Sequence, residues 1–499
     1  MPRNQAEIER DVFNAYKIVR NHFRKFEPLS IVFGLLKFLN SPSTAVSASH
    51  QPWLILLLIK WIFQDEQIWH QGRPKIDDRN LRKLINSVYK AEEKGRSPQE
   101  TQSLEMFFRR MMYQQFGYQN QIDGVLSSFT LDVKLFGKDI NPGFSQEFKQ
   151  RFQLTVEEYL VLAFAIVSSL LANENQHDFQ VNFFDEIADK FEENTSFHFL
   201  EAISITLIDI PERLARPIEK GVNSDEFHET SPFLNFPFVK TNDRYFVTHR
   251  DLVIRALKHF LYGSLKAMNS DKRNRKFSEL FEESVGNHLR SLSTNTISEG
   301  QLKQKIGDQG KVVDFVVEEI DALVLVEAKA TELAETGRLA TNTQRLKDRM
   351  KSVLTAVKQA EQTLERMELN GLFDQNSLKS YLVIVTYGQF YIGDGTLLGA
   401  LFEGTSFSAP EAIPIENIFI LSFAEFEYLI AVAKECKKPI NGILEQVKEV
   451  ASKPEDRKVM FQNYLDDLFP GLELPRDNND PFTLLLENSL PSLNFHKDE

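Results

Sequence analysis

At 499 residues, with 42% hydrophobic and 26% charged residues, the chain is long enough for roughly two to four domains, each with a buried core. Its one cysteine, Cys436, excludes an intramolecular disulfide and a cysteine-based zinc cluster, and fits the reducing cytoplasm where we expect the protein. The net charge of −13 disfavours phosphate-backbone binding over the whole surface, so such binding has to rest on local basic clusters.

Residues 1 to about 220 show helical periodicity almost throughout. In the first segment, apolar side chains recur at steps of three or four and form one stripe: Ile8, Val12, Tyr16, Val19, Phe23 and Phe26. Similar spacing predicts helices over Leu81–Lys94, Thr101–Phe116, Val156–Leu171, Phe179–Phe191 and Phe197–Ile208. We therefore expect an all-helical N-terminal domain over residues 1–220.

The longest apolar runs of the chain also lie in this half. Trp53–Phe63, which Lys60 interrupts, and Tyr159–Ala172 are both shorter than the ~20 residues that span a bilayer. We interpret both as buried core helices. The polar N-terminus predicts no signal peptide, and no membrane partner is expected.

Residues 221–270 are expected to form a connector. Proline, glycine and asparagine mark an irregular stretch between Arg216 and Val239. Pro237–Val247 then predicts a small β-hairpin that turns at Thr241–Asp243, and a helix is predicted over Leu252–Leu265.

Residues 271–436 are predicted to alternate helices with short apolar strands. A helix over Lys276–Leu292 precedes two apolar runs, Val312–Val317 and Ala322–Val326, around a polar turn that predicts an antiparallel strand pair. A helix over Asn342–Leu369 and a strand over Tyr381–Tyr387 follow. The pattern is also compatible with strands near Thr296–Gln301 and over Ile418–Ser422, and with a helix over Phe423–Cys436.

Residues 437–499 are expected to form a helical extension and a polar tail. Helices are predicted over Ile440–Ser452 and Pro454–Leu468, and the segment from Pro470 onward is rich in Asp, Asn and Pro. The short apolar piece Phe482–Leu486 either docks on a partner or folds back, and the sequence leaves both open.

Three charged residues interrupt the apolar strand pair: Asp314, Glu327 and Lys329. Side chains alternate along a strand, so Glu327 and Lys329 share one face. If the turn pairs Glu318 with Asp321, then Asp314 lies opposite Leu325 on that same face. Glu327 becomes its diagonal neighbour, about 5–8 Å away. The spacing therefore gathers two carboxylates and an ammonium group into one patch.

This patch resembles the core of the PD-(D/E)XK nuclease superfamily, whose signature is an Asp in one strand and Glu-x-Lys in the next. Here the matching residues are Asp314, Glu327 and Lys329, with Ala328 as the x residue. The flanking order α-β-β-α-β is also that of the superfamily's core. The resemblance covers Asn274–Ala424, less than a third of the chain. It implies a restriction-endonuclease-like domain with a mixed central sheet.

The expected fold class is therefore α+β/α. A large all-helical N-terminal region precedes the restriction-endonuclease-like domain, and a helical C-terminal extension follows it.

The resemblance also implies a metal site. Asp314, Glu327 and the carbonyl of Ala328 would hold Mg²⁺, with Mn²⁺ as a substitute, and Lys329 would orient the attacking water and stabilise charge on the phosphate. The superfamily often carries a Phe-Glu-x-x-Val-like pattern on the preceding helix, with its Glu near the metal. Residues 281–285 match that pattern, so Glu282 is a further candidate for catalysis and metal binding. A solvated surface glutamate is the alternative.

A Gln or Lys on the following helix is also frequent near the site in this superfamily. Lys358, Gln359 and Gln362 are available there, and no specific pattern selects one of them.

Basic residues cluster on both sides of this patch in the sequence. DNA is the expected partner, and the candidate contacts with it are Arg273, Arg275, Lys276, Lys347 and Lys351. Each cluster taken singly is also typical of a solvated helix face. The N-terminal half lacks such basic faces and is better suited to a protein partner.

The predicted function is that of a cytoplasmic, Mg²⁺-dependent endonuclease acting on DNA, in a restriction or anti-phage defence role by analogy with relatives of similar build. The alternatives left open are a DNA-repair nuclease, a nuclease acting on RNA, and an inactive nuclease-fold subunit that binds other proteins. A homo-oligomer is also left open.

Overall fold

The chain divides into two compact units. The computed structural model describes residues 3–41, 51–69, 72–119, 121, 124–188, 190–206, 214, 221–292, 295–308, 310–374, 377–403, 405, 407, 410–472 and 480–490. The first unit comprises Met1–Thr101, Arg110–Ser270 and Asn478–Glu499, and the second comprises Gln102–Arg109 and Asp271–Asp477. Residues 437–472, which the sequence set apart as an extension, thus belong to the second unit. The domain boundaries expected from the sequence at residues 220 and 436 stay predictions.

Helices dominate the first unit. Their bounds are α1 Gln5–Phe23, α2 Pro28–Leu39, α3 Pro52–Phe63, α4 Asp78–Glu92, α5 Leu104–Gln115 (which begins in the second unit), α6 Val125–Phe136, α7 Pro142–Phe152, α8 Val156–Ala172, α9 Asp185–Ala188, α10 Thr195–Ala202 and α11 Arg250–Met268.

The predicted apolar stripe of α1 is buried. Ile8, Val12, Val19 and Phe23 are fully enclosed, and Tyr16 is nearly so. Helix α3 buries almost all of its side chains in the same core, as expected for an apolar run too short to cross a bilayer. Within the described residues, no single helix is long and apolar enough to span a membrane, although α7 and α8 pass such a test as a pair bent by 66°.

A four-stranded sheet in the first unit corrects the expectation of an all-helical N-terminal region. Its order is β1-β4-β3-β2, with β1 Asp178–Phe179, β2 Ser204–Thr206, β3 Phe238–Thr241 and β4 Arg244–Val247. Strands β3 and β4 are the predicted hairpin, which is confirmed. Strand β2 pairs parallel with β3, and β1 pairs antiparallel with β4.

Two predicted helices of this half are therefore wrong in part. Phe179–Phe191 contributes β1, a 3-10 turn over Val181–Phe184 and the short α9, and Phe197–Ile208 becomes α10 followed by β2. Both hairpin edges offer unpaired backbone groups, and pairing with them outweighs the local helical pattern. Three predicted segments lie outside the described residues: 207–208, the start of the irregular stretch (216–220), and most of the C-terminal tail (473–479 and 491–499).

Helices and strands alternate in the second unit. Its elements are α12 Asp271–Leu292, β5 Thr296–Ser298, α13 Glu299–Ile306, β6 Phe315–Glu318, β7 Ala322–Lys329, α14 Glu335–Arg338, α15 Thr343–Arg349, α16 Lys351–Leu369, β8 Lys379–Thr386, β9 Gly393–Asp394, α17 Gly395–Leu401, β10 Ile418–Ser422, α18 Phe423–Glu435, α19 Ile440–Ala451 and α20 Phe461–Leu468. A last helix, α21 Pro481–Ser489, belongs to the first unit, where Phe482 packs against Phe129 and Phe164.

The strands of the second unit form one mixed sheet in the order β5-β6-β7-β8-β10-β9. Strands β5, β6 and β7 are antiparallel neighbours, whereas β8 runs parallel to both β7 and β10. Strands β7 and β8 are buried along most of their length, as is typical of a sheet covered by helices. Helices α12, α16, α18 and α19 provide that cover.

The register of the β6–β7 hairpin differs from the expected one. Glu318 pairs with Leu323, and Phe315 pairs with Val326, so the next opposed pair is Asp314 and Glu327. Asp314 therefore does not lie opposite Leu325. The shift is two residues, which preserves the face on which each side chain lies because side chains alternate with a period of two.

Three further predictions in this unit are corrected. The helix expected over Asn342–Leu369 is two helices, α15 and α16, that meet at Met350. Strand β5 ends at Ser298, where α13 begins, and does not continue to Gln301. The helix expected over Pro454–Leu468 is a short 3-10 turn, Pro454–Asp456, followed by α20.

Candidate metal site

The β6–β7 hairpin brings three of the predicted site residues together. Asp314 immediately precedes β6, and Glu327 and Lys329 lie at the end of β7. The backbone N–H of Asp314 donates to Glu327 Oε2 at 3.3 Å, and the N–H of Ala328 donates to Asp314 Oδ2 at 2.7 Å. Backbone groups of this hairpin therefore orient both carboxylates.

Two further carboxylates reach Asp314 from helices. One oxygen from each of Glu282, Glu299 and Asp314 lies within 4.8 Å of the other two, and all three residues are half-buried. Glu282 projects from the middle of α12, as predicted. Glu299 begins α13, and its backbone N–H donates to the carbonyl of Asp314 at 2.7 Å. Glu299 is the site residue that the sequence analysis missed.

A sequence signal for Glu299 was present. Ser298 and Gln301 form a capping box, which is the Ser-x-x-Gln pattern that marks a helix start. That pattern ends β5 at Ser298 and makes Glu299 the first residue of a helix, where its carboxylate is favoured by the helix dipole. Its side chain also pairs with Lys303 Nζ at 2.8 Å, one turn further along α13.

Glu327 is enclosed and held on both oxygens. It is 0% exposed, its Oε1 is paired with Lys329 Nζ, and its Oε2 accepts from Gln359 Nε2 at 3.2 Å. Gln359 also donates to the carbonyl of Val312. Of the three candidates on α16, Gln359 is therefore the one at the site, whereas Lys358 and Gln362 are exposed.

Helix α16 also fixes the segment that leads into Asp314. The N–H of Val313 donates to Thr363 Oγ1 at 3.1 Å, and that hydroxyl donates to the carbonyl of Gln359 at 2.7 Å. Val312 and Val313 are thus bonded to the helix and do not extend β6, which explains why the strand begins at Phe315 and not at Val312. Asp314 therefore lies between the segment held by α16 and the start of β6, and its carbonyl is bonded to the start of α13.

Burial and the charges of neighbouring carboxylates raise the pKa of Glu282, Asp314 and Glu327. The pKa of Glu282 rises to about 7, first through burial and then through the charges of Asp314 and Glu299, with Lys329 opposing the rise. Burial raises the pKa of Asp314, while the hydrogen bond from Ala328 and the charge of Lys329 act against it. Burial and the Asp314 charge raise the pKa of Glu327. The negative charges in the cluster are therefore incompletely compensated by the protein.

Such an acidic cluster fits a hard divalent cation. Mg²⁺ prefers carboxylate and carbonyl oxygens at about 2.0–2.1 Å, so its ligand oxygens lie roughly 3–4 Å apart. The three carboxylates within 4.8 Å of one another need only small side-chain movements to approach one ion. The N–H of Ala328 points to the Asp314 side of β7, and in a strand the carbonyl of the same residue points to that side as well. Ala328 can thus contribute a fourth oxygen, as expected from the resemblance.

The predicted nucleic-acid contacts lie on the helices that carry site residues, or directly before them. Arg275 and Lys276 are exposed and Arg273 is half-buried, near the start of α12. Arg275 precedes Glu282 by two helical turns and shares its face, roughly 10 Å away along the axis. Lys351 is exposed at the start of α16, and Lys347 is half-buried on α15.

Comparison of the chain with protein-family models, curated protein sequences and solved structures gave no match. The class of this site therefore has to be inferred from its own residues and geometry.

Proposed function

We propose that this protein is a metal-dependent nuclease that hydrolyses phosphodiester bonds of DNA. The observation that carries the proposal is the convergence of Glu282, Glu299 and Asp314 beside the buried Glu327–Lys329 pair. Carboxylates gathered without equal positive charge are costly unless a cation neutralises them. A lysine that is 23% exposed next to such a cluster is placed to meet an anionic substrate.

The proposed chemistry needs few protein groups. A bound Mg²⁺ would polarise the scissile phosphate and lower the pKa of a water ligand. Asp314, Glu282, Glu299 and the carbonyl of Ala328 would hold the ion, whereas Glu327, expected from the sequence as a ligand, has both oxygens engaged within the protein. Lys329 would orient the attacking water and stabilise the charge that develops on the phosphate. Gln359 and the hairpin backbone would hold Glu327, so that Lys329 keeps its position.

The order of elements around the cluster supports the same class of enzyme. Helix α12 precedes three antiparallel strands, β5 to β7, and helix α16 then leads to β8, which is parallel to β7. This arrangement agrees with the core expected from the resemblance to PD-(D/E)XK nucleases. Because a fold can host unrelated functions, we base the proposal on the cluster and use the topology as support.

DNA is the substrate that we propose, with a role in restriction or anti-phage defence. Arg275, Lys276 and Lys351 are exposed on helices that also carry site residues, and basic side chains there would counter the repulsion between an acidic protein and a phosphate backbone. The first unit is proposed to bind a protein partner or to hold the nuclease in check.

The decisive experiment is a cleavage assay with the full chain. Supercoiled plasmid, linear duplex DNA, single-stranded DNA and single-stranded RNA are each incubated with Mg²⁺, with Mn²⁺, and with EDTA. We expect Mg²⁺- or Mn²⁺-dependent cleavage of DNA that EDTA abolishes. Cleavage of RNA alone would favour the RNA-directed alternative.

A matched pair of variants ties any cleavage to this site. Lys329→Ala should abolish cleavage. Lys379→Ala is the control and should leave cleavage unchanged. Lys379 lies at the start of β8 and pairs with Glu445, so this variant also removes a lysine from the sheet and breaks a lysine–glutamate pair. If all four substrates stay intact with either metal, an inactive nuclease-fold subunit becomes the better account. If Lys329→Ala cleaves as fast as the unmodified protein, the activity lies elsewhere.

A further inference from the structure

An open cavity of about 500 Å³ lies at the tip of the β6–β7 hairpin. Its apolar part is formed by Leu292 at the end of α12, by Ile320 in the hairpin turn and by Pro439 before α19. Ile320 is fully exposed, with a relative accessibility of 103%. An isoleucine that protrudes beside a cavity of this size, within the range typical of small-molecule sites, offers contact area to a ligand.

Three lysines line the same cavity: Lys434, Lys437 and Lys438. Over the described part of the chain, neither Lys434 nor Lys437 forms an ion pair or a side-chain hydrogen bond within the protein. Lys438 lies over the ring of Phe469, 5.1 Å from its centroid, and its Nζ donates to Gln446 Oε1 at 3.4 Å. Lys434 and Lys437 are exposed at the cavity, so their ammonium groups are available to an external anion.

Glu319 is the acidic residue that lines this cavity, and its carboxylate is already engaged. Its Oε1 accepts from the N–H of Ile440 at 2.7 Å, and its Oε2 accepts from the N–H of Asn441 at 2.8 Å. The carboxylate is thus hydrogen-bonded to the start of α19, and in the described structure it forms no ion pair with the three lysines. The lysines therefore leave a positive potential over the cavity.

The backbone that presents the lysines is itself unusual. Helix α18 ends in a turn in which the N–H of Lys438 donates to the carbonyl of Ala433 at 3.0 Å, and Lys437 has a φ of 50°. Glycine is favoured at this left-handed position of a helix end, because a side chain there is strained. A lysine at this position gives up stability and places an ammonium group at the cavity.

The cavity is remote from the carboxylate cluster. Strand β7 runs for 8 residues from Ala322, next to the hairpin turn, to Lys329 at the cluster. At ~3.3 Å per residue the two ends of the strand are roughly 23 Å apart. One phosphate cannot contact both places, so the lysines have no role at the scissile bond.

We propose that this cavity is a second binding site, for a nucleotide-sized ligand that carries a phosphate chain and an apolar ring. The three lysines bind the phosphates, and Ile320, Leu292 and Pro439 contact the ring. The site serves a ligand distinct from the nuclease substrate and does not depend on the proposed cleavage activity.

The test is binding to the full chain, measured by calorimetry in EDTA so that no metal bridges phosphates to the carboxylate cluster. The probes are ATP, tripolyphosphate and adenosine. We expect ATP to bind roughly tenfold more tightly than either tripolyphosphate or adenosine, because only ATP contacts both the lysines and the apolar part. Equal affinity of ATP and tripolyphosphate would overturn the assignment of a ring-binding part.

The key variant is Lys434→Gln combined with Lys437→Gly. It should weaken ATP binding by roughly tenfold or more, while the thermal midpoint stays the same or rises because glycine relieves the strain at residue 437. Lys453→Gln is the matched control on the same unit and should bind ATP as the unmodified protein does. Undiminished ATP binding by the double variant would overturn the proposal.

A fourth probe, a 20-nucleotide DNA strand, separates a small-ligand site from a nucleic-acid surface. If the double variant loses affinity for DNA and keeps its affinity for ATP, the lysines belong to a nucleic-acid surface and the proposal is wrong. Loss of ATP affinity with unchanged DNA affinity supports it.

Discussion

Asp314 and Glu327 face each other across the β6–β7 hairpin, and each carboxylate accepts a hydrogen bond from the backbone of the opposite strand or its extension. The N–H of Asp314 donates to Glu327 Oε2 at 3.3 Å, and the N–H of Ala328 donates to Asp314 Oδ2 at 2.7 Å. Two like charges are thereby held close together without a cation of equal charge.

Lys329→Ala is expected to lower the rate of DNA cleavage by roughly 10²-fold or more, because in the proposed mechanism it removes the cation that contacts the phosphate. Mg²⁺ affinity and the thermal midpoint should change little, since lysine is not a ligand. Asp314→Ala should lose both cleavage and Mg²⁺ affinity. Cleavage rates and calorimetric Mg²⁺ titrations of the two variants measure the difference. Equal loss of Mg²⁺ affinity in both would contradict the assigned roles.

Gln359→Leu is expected to lower the free energy of unfolding by about 1–3 kcal/mol, because buried acceptors on Glu327 and Val312 lose their donor. Gln362→Leu, on the same helix but exposed, is the matched control and should change stability by less than about 0.5 kcal/mol. Urea unfolding of the second unit measures both. Similar stabilities for the two variants would show that the Gln359 bonds are energetically unimportant.

Gly286→Ala should destabilise the protein although alanine is the better helix former. A Cβ at this position of α12 would lie 2.6 Å from Cζ of Phe315, the residue next to Asp314. The clash should cost about 1–3 kcal/mol and outweigh the ~1 kcal/mol gained from helix propensity. Gly263→Ala on α11 meets nothing within 4 Å and should be stabilising or neutral in the same unfolding assay. If Gly286→Ala were as stable as the unmodified protein, α12 would have to be able to move away from the sheet.

Arg275→Ala combined with Lys276→Ala is expected to weaken DNA binding and to make it less dependent on salt. Each lost phosphate contact should reduce the slope of log K against log salt by about 0.9. Binding is measured by fluorescence anisotropy in Ca²⁺, between low and moderate salt. The control pair, Arg79→Ala with Lys83→Ala, removes two exposed charges from α4. An equal loss of DNA affinity in the control pair would mean that DNA binds elsewhere on the protein or that the effect arises from net charge alone.

His228 should make the first unit less stable as the pH falls. Burial, with the charges of Arg110 and Arg96, lowers its pKa to about 3. The pKa of the His228 side chain in the unfolded chain is about 6.5. At pH values between about 6.5 and about 3, only the unfolded state binds the proton, so the free energy of unfolding declines as the pH falls. From pH 7 to pH 5 the loss amounts to about 2 kcal/mol.

His228→Gln should remove that share of the pH dependence, whereas His177→Gln, at an exposed histidine, should not. Urea unfolding at pH 7 and pH 5 gives the comparison. Parallel pH profiles for His228→Gln and the unmodified protein would show that His228 accepts a proton without cost in the folded state.

The sequence by itself determined the hairpin and the shared face of its charged residues. Asp314, Glu327 and Lys329 lie on one side of the sheet because side chains alternate with a period of two, and a register error of two residues left that result intact. The helix that carries Glu282 and the strand Ile418–Ser422 were also predictable, because both have a clear apolar pattern of their own.

Only the tertiary structure decided the remainder of the site. Glu299 joins Asp314 because β5 and α13 return beside β6, and Gln359 reaches Glu327 because α16 crosses the same strands. Strands β1 and β2 likewise exist only because the β3–β4 hairpin offers them edges to pair with. Local patterns report which face of an element is apolar, whereas long-range pairing determines which elements meet, since its backbone hydrogen bonds form only after the chain has folded back on itself.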